Sequence, residues 1–241
     1  MERFRGNGTS FGQNVFLGKN VKIGANCQIG HNVVIHDDTF IGNNVRIDDN
    51  TVIGKNLMKA ANSAMAKDLD LPGTVIGDDC LIGALVVIYR GAKLGKKMLV
   101  ADQAAIQFDT VFGDFTIVGR GVLVEAHCTV GEKVKLESNC YITAYSTIED
   151  RCFIAPCVAT SNDNYVGRTQ ERFKHFKGVT VKKGARIGVH STILPGKIIH
   201  EDALIAAGSV VTKDAQAGKI YAGTPAREFR DVPEDQLLKN N

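Results

Sequence analysis

Large aliphatic residues recur at every sixth position along most of this chain. The longest run without a register slip goes from Ile76 to Ile154, and a second, smaller residue stands two positions before each large one. Residues two apart share one face of a β-strand. Each hexad therefore predicts a short strand with two inward side chains, followed by a turn. A period of six is incompatible with an α-helix, whose apolar stripe recurs every 3.6 residues.

The same pattern begins with Val15 and Leu17, continues to Ile53, and returns between Val179 and Val211. Three such strands form one triangular coil, and stacked coils bury continuous aliphatic ladders. We therefore predict an all-β protein, a parallel β-helix of about 27 hexads or nine coils. Lys197 stands where a small residue belongs. This predicts either a local bulge or a lysine whose aliphatic stem lies along the apolar layer.

Two stretches interrupt the hexads, near residues 55–74 and 155–180, and we interpret both as loops extruded from a coil. Long ordered loops on a regular scaffold usually carry function. The repeat domain is expected to cover residues 1–216. Residues 217–241 are expected to form a C-terminal cap, with a short helix from Ala226 to Leu238.

The charge balance and the hydropathy pattern restrict the classes of partner. A net charge of +3, spread along the sequence, argues against a nucleic-acid-binding surface and suits a small polyanionic ligand. No segment approaches membrane-spanning length, and the N-terminus lacks the apolar run of a signal peptide. We expect a cytoplasmic protein with no nucleic-acid partner and no membrane partner.

The cysteines follow the hexad phase, which makes them core residues rather than disulfide partners or metal ligands. Those at the small inward position are Cys27, Cys80, Cys128, Cys140 and Cys152, and only Cys157 lies out of phase. His31 and His36 form an H-x4-H pair that resembles a zinc motif of β-helical enzymes. A zinc site needs a third ligand at compatible spacing, and the sequence offers none. We expect no metal.

Several longer stretches carry a resemblance to a known family. They are NSAM at 62–65, VIYRGAKLG at 87–95, GRGVLVE at 119–125, YITAYSTIEDRCFIAPCVATSNDNYVGRT at 141–169, KGARIG at 183–188, AAGSVVTKD at 206–214 and AGTPAR at 222–227. With the hexads, they resemble the hexapeptide-repeat acyltransferases. The chain is most similar to the N-acetyltransferases that modify nucleotide-linked amino sugars, such as those making 3-acetamido-3,6-dideoxyhexoses for surface polysaccharides.

The resemblance implies a left-handed β-helix, a homotrimer, and acyl transfer from acetyl coenzyme A at clefts between subunits. The implied acceptor is the amino group of a deoxysugar linked to a nucleoside diphosphate. Two alternatives stay open. The protein could be an O- or N-acyltransferase for another small acceptor, or a non-catalytic solenoid that serves as a scaffold.

Acyl transfer to an amine needs a group that takes up the amine proton. Asp109 and Glu125 are 16 residues apart, close to the length of one coil, so we expect them at one edge of the solenoid. The resemblance implies that Asp102, Asp109 and Glu125 line the amino-sugar pocket. We assign the catalytic role to Glu125 and Asp109. His127 is the best placed of the histidines for the alternative of a histidine base, ahead of His190 and His175.

The remaining candidates also rest on the resemblance. The SNDNYVGRT loop is expected to meet the substrates, through Asn162, Asp163 and Asn164, with Tyr145 and Arg168 as further candidates for contacts to the nucleotide. Coenzyme A is expected along the C-terminal coils. There Ala207 allows close backbone approach, and basic side chains meet the phosphates: Lys182, Lys183, Lys213 and Arg227.

Overall fold

The computed structural model describes residues 6–58 and 69–241, which form a parallel β-solenoid. Most strands are two residues long and pair in register with the strands 18 residues before and after them, as Val118 does with Val100 and Leu136. The strands build three sheets, one for each side of a triangular coil. This architecture confirms the predicted fold class and is consistent with a left-handed β-helix.

The three sheets are called the first, second and third faces, in the order in which the chain meets them. The first face contains twelve strands: β1 (Ser10–Phe11), β4 (Gln28–Ile29), β7 (Arg46–Ile47), β10 (Leu81–Ile82), β13 (Leu99–Val100), β16 (Ile117–Val118), β19 (Lys135–Leu136), β22 (Phe153–Ile154), β25 (Arg186–Ile187), β28 (Leu204–Ile205), β30 (Lys219–Ala222) and β31 (Arg227–Asp231). The second face contains ten: β2 (Phe16–Leu17), β5 (Val34–Ile35), β8 (Val52–Lys55), β11 (Val87–Tyr89), β14 (Ala105–Ile106), β17 (Leu123–Val124), β20 (Tyr141–Ile142), β23 (Ala159–Thr160), β26 (Thr192–Ile193) and β29 (Val210–Val211). The third face contains nine: β3 (Lys22–Ile23), β6 (Phe40–Ile41), β9 (Val75–Ile76), β12 (Lys93–Leu94), β15 (Val111–Phe112), β18 (Thr129–Val130), β21 (Thr147–Ile148), β24 (Thr180–Val181) and β27 (Ile198–Ile199).

Turns join the faces at three corners. The first corner leads from the first face to the second, the second corner from the second face to the third, and the third corner back to the first face. Stacked turns at one corner bring residues 18 apart in sequence next to each other. Whether two side chains can meet within one chain therefore depends on which corner carries them.

The inward positions form the core as predicted. The large rungs from Ile76 to Ile154 are all buried, and so are their small partners, four of which are cysteines; the fifth in-phase cysteine, Cys27, is also buried. Leu17 and Val15 are only partly buried because they lie in the first coil, at the open end of the stack. Burying one large aliphatic side chain stabilises a fold by roughly 1.5–3 kcal/mol, so the ladders are the main source of stability.

The turns require a left-handed backbone conformation three residues after each rung. This position is often Asn, as at Asn14 (φ 58°), Asn32 (φ 55°) and Asn139 (φ 60°), because Asn tolerates positive φ better than most residues. The residue before it is often Asp, whose carboxylate accepts a hydrogen bond from the backbone of the preceding coil, as Asp114 Oδ1 does from Lys96 N at 2.8 Å. These contacts tie successive coils together at the corners.

The structure extends the solenoid beyond the predicted nine coils to about eleven, judged by the eleven parallel strands of the first face. Three strands were missing from the hexad count: β1, β23 and β30. Because β23 ends at Thr160, the second loop covers residues 161–178 rather than 155–180. Because β30 pairs in parallel with β28, the solenoid continues past residue 216. At Lys197 the register of the flanking strands is regular and the residue is half-buried, which excludes the bulge.

The predicted helix from Ala226 to Leu238 is wrong. Residues Arg227–Asp231 form β31, which pairs antiparallel with β30, and the only helical turns that follow are 3-10 turns at Glu234–Gln236 and Leu238–Asn240. The physical reason is that β30 leaves backbone donors and acceptors open at the end of the sheet, and β31 satisfies them. Ala226 and Val232 are buried in this hairpin region.

Both loops leave the solenoid at the second corner, one between β8 and β9 and the other between β23 and β24. Part of the first loop, including NSAM at 62–65, lies outside the described residues, as does the N-terminal segment 1–5. Glu171–Lys174 forms a 3-10 helix in the second loop. In the described part of the chain, no helix has the length and apolar character needed to cross a membrane.

Candidate active site at the second corner

Three consecutive coils place chemically capable side chains at equivalent turn positions of the second corner. Asp109, His127 and Tyr145 follow one another at 18-residue intervals, with φ angles of 51°, 60° and 65°. Glu125 and Phe108 lie in the same turns, one and two residues after their rungs. The structure thus brings together four residues singled out from the sequence and adds Phe108, which was not predicted.

Asp109 and His127 form a hydrogen-bonded pair. The distance between Asp109 Oδ2 and His127 Nδ1 is 2.7 Å, and the imidazole is 26% exposed while the carboxylate is 57% exposed. When Nδ1 carries the proton that it donates to Asp109, the lone pair of the imidazole lies on Nε2. A carboxylate that fixes the tautomer of a partly exposed histidine is the arrangement of a general base.

Two aromatic side chains contact the same imidazole. The ring of Tyr145 is stacked on it, with a centroid distance of 5.1 Å and an interplanar angle of 10°. Phe108 meets it in an edge-on arrangement at 5.2 Å and 87°, and Phe108 itself is buried. The imidazole is therefore held by a carboxylate and by two rings contributed by the neighbouring coils.

Glu125 lies half-buried at this corner, two residues before His127. Burial raises the pKa of the Glu125 carboxyl. No hydrogen bond or ion pair with the described residues involves this carboxylate. On the adjacent strand, the pKa of Tyr141 is raised, first by the burial of Tyr141 and then by the charge of Glu125. A half-buried carboxylate without a partner is suited to bind a cationic or hydrogen-bond-donating group of a ligand.

The two loops flank this cluster along the second corner. The first loop is anchored by Arg90, whose guanidinium donates to the Leu71 carbonyl at 2.8 Å and contacts Asp38 at 2.7 Å. The second loop begins at Ser161, directly after β23, in the coil that follows Tyr145. A ligand at the Asp109–His127 pair would lie between them.

The second loop uses Asp163 for its own structure. The Asp163 carboxylate accepts hydrogen bonds from the backbone of Tyr165 at 2.8 Å and of Gly167 at 2.9 Å, and it pairs with Arg172 at 2.9 Å. The guanidinium of Arg172 also lies over Phe173, 4.8 Å from the ring centroid. This geometry gives Asp163 a structural role in the loop, through Arg172, which sequence reasoning missed. The expected contact of Asp163 with the substrates stays a prediction.

The other loop candidates differ in position. Asn162 is half-buried, and its carbonyl accepts a hydrogen bond from the backbone of Lys177 at 3.1 Å. Its place in the turn is equivalent to that of Phe108 three coils earlier. Asn164 and Arg168 are exposed in the loop. Of the loop candidates, Asn162 therefore lies in the same column of turns as the cluster.

Asp102 does not join the cluster within one chain. It lies at the first corner, where its Oδ1 accepts a hydrogen bond from the Ala84 backbone at 2.9 Å. This is the same coil-to-coil contact that Asp114 makes at the third corner. The carboxylate of Asp102 is thus part of the turn structure, and its expected place in the amino-sugar pocket stays a prediction.

The expected cofactor residues are distributed over all three corners. Lys182 and Lys183 lie at the third corner, where Lys182 pairs with Glu149 at 2.7 Å. Ala207 lies exposed at the first corner and Lys213 exposed at the second. Arg227 is exposed in β31, with its guanidinium donating to the Ala226 carbonyl at 3.0 Å. In one chain, only Lys213 shares a corner with the Asp109–His127 pair.

The remaining histidines lie apart from this cluster. His31 is at the first corner, where its Nδ1 accepts from the Gln13 backbone at 2.9 Å, and His36 is at the second corner. Residues 6–58 and 69–241 contain no group of three potential metal ligands. His175 contacts Glu171 at 3.1 Å within the loop, and His190 occupies a first-corner turn.

Comparisons with known proteins agree with the repeat architecture. Residues 178–213 match a family model described as the hexapeptide repeat of succinyl-transferase, and residues 11–113 match one described as the GMPPB C-terminal domain. The 2,3,4,5-tetrahydropyridine-2,6-dicarboxylate N-acetyltransferase of Staphylococcus aureus (strain JH9) is 38% identical over 61 residues, which are 25% of this chain and 26% of the relative. The chain thus spans about a quarter of the length of this curated relative.

Two solved structures are similar at lower sequence identity. The UDP-N-acetylglucosamine acyltransferase of Francisella novicida matches with a TM-score of 0.51 and 16% identity, over 95% of this chain and 72% of that one. A hexapeptide-repeat acetyltransferase of Vibrio cholerae O1 biovar eltor, complexed with acetyl coenzyme A, matches with a TM-score of 0.46 and 23% identity, over 51% and 70%. The first likeness shows a shared fold. The matched repeat model independently identifies a hexapeptide repeat in residues 178–213.

Proposed function

We propose that the protein is an N-acetyltransferase that moves an acetyl group from acetyl coenzyme A to the amino group of a nucleotide-linked amino deoxysugar. The observation that carries the proposal is the 2.7 Å hydrogen bond between Asp109 and His127, with the carboxylate of Glu125, which has no partner among the described residues, at the same corner. The sequence resemblance and the name of the staphylococcal relative support an acetyl donor and an amine acceptor.

In this mechanism the nitrogen of the amine attacks the thioester carbonyl and forms a tetrahedral intermediate. His127 Nε2 takes the amine proton, and Asp109 holds the tautomer that leaves Nε2 free and stabilises the imidazolium. The C–S bond then breaks, and the thiolate leaves and takes the proton from His127. Glu125 binds the amine and orients its lone pair toward the carbonyl.

This assignment changes the role first expected of the two carboxylates. Asp109 contacts His127 directly, so its effect on the amine passes through the imidazole. Glu125 has no such partner among the described residues, and burial raises its pKa, which favours contact with a positively charged or donating group. His127 is the better base, because its contact with Asp109 fixes the tautomer that leaves the Nε2 lone pair free on a partly exposed ring.

The distribution of the basic residues favours a shared cleft in a homotrimer. Lys182 and Lys183 at the third corner and Ala207 at the first cannot meet His127 within one chain. A closed symmetric assembly would bring the corner of one subunit against another corner of its neighbour. Coenzyme A would then lie between subunits, with Lys213 at the same corner as the Asp109–His127 pair, four coils after His127, and the other basic groups supplied by the neighbour.

The test measures thiol release from acetyl coenzyme A across a panel of acceptors. The panel pairs each nucleotide-linked 3-amino or 4-amino deoxysugar with its hydroxyl counterpart and with the free amino sugar. We expect release with at least one nucleotide-linked amine and none with the matched hydroxyl compound. Release only with a hydroxyl or non-nucleotide acceptor would replace the proposed substrate, and release with no acceptor would favour the scaffold alternative.

A further inference from the structure

Tyr145 occupies a backbone position that suits a smaller residue. Its φ of 65° is left-handed; at equivalent turn positions the chain often uses Asn, as at Asn139 (φ 60°) and Asn50 (φ 59°), and carries bulky residues at others, as at Leu85 (φ 59°) and Phe115 (φ 59°). A bulky residue with positive φ is an outlier, and such outliers cluster at functional sites. The question is which contact of the Tyr145 ring accounts for its presence at this turn.

The contacts of the ring answer this question. One face of the Tyr145 ring is stacked on the imidazole of His127 at 5.1 Å, nearly parallel to it. Phe108, from the coil before His127, meets the same imidazole edge-on at 5.2 Å. The backbone fixes these neighbours, because His127 N donates to the Phe108 carbonyl at 3.3 Å and Tyr145 N donates to the Ala126 carbonyl at 3.1 Å.

We infer that Tyr145 and Phe108 are positioning residues for His127, and that the Tyr145 ring stabilises the imidazolium formed during the reaction. This inference rests on the proposed function, in which His127 takes a proton. A cation placed over the face of an aromatic ring is attracted to its negative face.

The inference replaces the role that the sequence suggested for Tyr145. A ring that stacks on the nucleotide would contribute to substrate binding, so its loss would raise KM for the nucleotide sugar. A ring that holds and stabilises the imidazolium contributes more to the transition state than to the bound substrate, so its loss lowers kcat. The two roles therefore differ in the kinetic constant that changes.

Tyr145→Asn is the most informative variant, because Asn removes the ring and accepts the left-handed backbone. Tyr145→Phe is the matched control, which keeps the ring, and Phe108→Leu removes the second ring while keeping an apolar side chain. We expect Tyr145→Asn to lower kcat by roughly threefold to thirtyfold with KM unchanged, while its melting temperature equals or exceeds that of the wild type. Tyr145→Phe should keep kcat within about twofold of wild type, and Phe108→Leu should lower kcat in the same sense as Tyr145→Asn.

An NMR measurement tests the stack independently of catalysis. The resonance of the His127 ring protons is identified as the signal lost in His127→Asn, and stacking on Tyr145 shifts it upfield by the ring current. That shift should disappear in Tyr145→Asn and persist in Tyr145→Phe. If it does so while the wild type releases no thiol with any acceptor, the proposed function fails and the stacking contact stands as a structural feature only.

Three results would overturn the inference in an active enzyme. The first is wild-type kcat in Tyr145→Asn. The second is an increase in KM for the nucleotide sugar with kcat unchanged, which would assign Tyr145 to the nucleotide. The third is an equal loss in Tyr145→Phe and Tyr145→Asn, which would mean that the hydroxyl group and not the ring is required.

Discussion

Replacing His127 with Asn removes the imidazole and leaves the turn that carries it intact. The φ of His127 is 60°, the same as that of Asn139 at the equivalent position of another turn, so the variant should fold and melt like the wild type. A positioned acid or base usually contributes roughly 10²–10⁴-fold to the rate. We therefore expect His127→Asn to lower kcat by that factor, with KM for acetyl coenzyme A nearly unchanged.

The magnitude for Asp109 follows from its contact with the imidazole. A hydrogen bond to a charged group is worth about 1.5–3 kcal/mol, which corresponds to roughly 10- to 150-fold in rate. The Asp109 side chain is 57% exposed, so solvent screening places the expected loss near the lower end, at about tenfold. Because Asp109 acts through His127, a variant with both residues changed should be no slower than His127→Asn alone.

Initial rates of thiol release at saturating substrates, together with thermal melts, measure these effects. Glu125→Ala is the matched comparison, since Glu125 lies in the same turn and is expected to affect KM for the amino sugar more than kcat. If His127→Asn retains kcat within about tenfold while Glu125→Ala loses 10²-fold or more, then Glu125 takes the proton and the assignment of the base is refuted. If both variants only raise KM, both side chains position the acceptor, and the thiolate or water takes the proton.

Three further predictions concern the core, the buried carboxyl and the assembly. Val118→Asp or Val124→Asp would place an unpaired charge inside a ladder and cost several kcal/mol of folding stability. Ile117→Asp, on the outward side of the strand that contains Val118, should melt nearly like wild type. A wild-type melting temperature for Val118→Asp would contradict the assignment of Val118 to the inward side. Burial raises the pKa of Glu125, so its ionisation destabilises the fold as the pH rises through that raised value. Glu125→Gln should therefore melt above wild type near pH 7–8 and equal it below the ordinary value of 4.5, and a difference independent of pH would contradict this. Light scattering should give three times 26.0 kDa, and a stable, active monomer would refute the shared cleft.

The fold could be predicted because the same hexad pattern recurs in the sequence of nearly every coil. A buried ladder requires an aliphatic residue at each sixth position, and the uninterrupted run from Ile76 to Ile154 leaves no other periodicity to consider. The prediction failed where a rung is not a typical aliphatic residue. The rung of β23 is Thr160, a polar residue. The hexad that contains Thr160 is therefore predicted as part of the loop, and the predicted solenoid is too short.

The C-terminal segment was mispredicted for a different reason. Nothing in the local sequence of Arg227–Asp231 requires a strand, and all five residues are exposed. The strand forms because β30 offers an open sheet edge, which is a property of the assembled solenoid and not of the segment. Similarly, the hydrogen bonds of Asp163 depend on how the loop folds back toward Arg172, nine residues later, and no periodicity reports that contact.

The candidate site was predicted in part because the coil length sets which side chains are neighbours. A separation close to 18 residues correctly placed Asp109 and Glu125 at one corner, and an exact separation of 18 joins Asp109 to His127 and His127 to Tyr145. Reading the sequence at that interval would have revealed the column. Asp102 is 23 residues from Glu125, which moves it to another corner.

The 18-residue length of a coil also explains why the site lies at a turn position and not on a face. Each coil must provide one residue with left-handed φ at every corner, and most coils use residues that tolerate this conformation, such as Asn or Asp. At the second corner, three successive coils use Asp109, His127 and Tyr145, and of these three residue types Tyr is the one that positive φ does not favour. The cost of placing a phenol ring there is offset by the ladders on either side, which hold the turns rigid. A solenoid can thus align a carboxylate, an imidazole and an aromatic ring from residues far apart in sequence with no loop to order, because the spacing between coils is already set by the pairing of the strands.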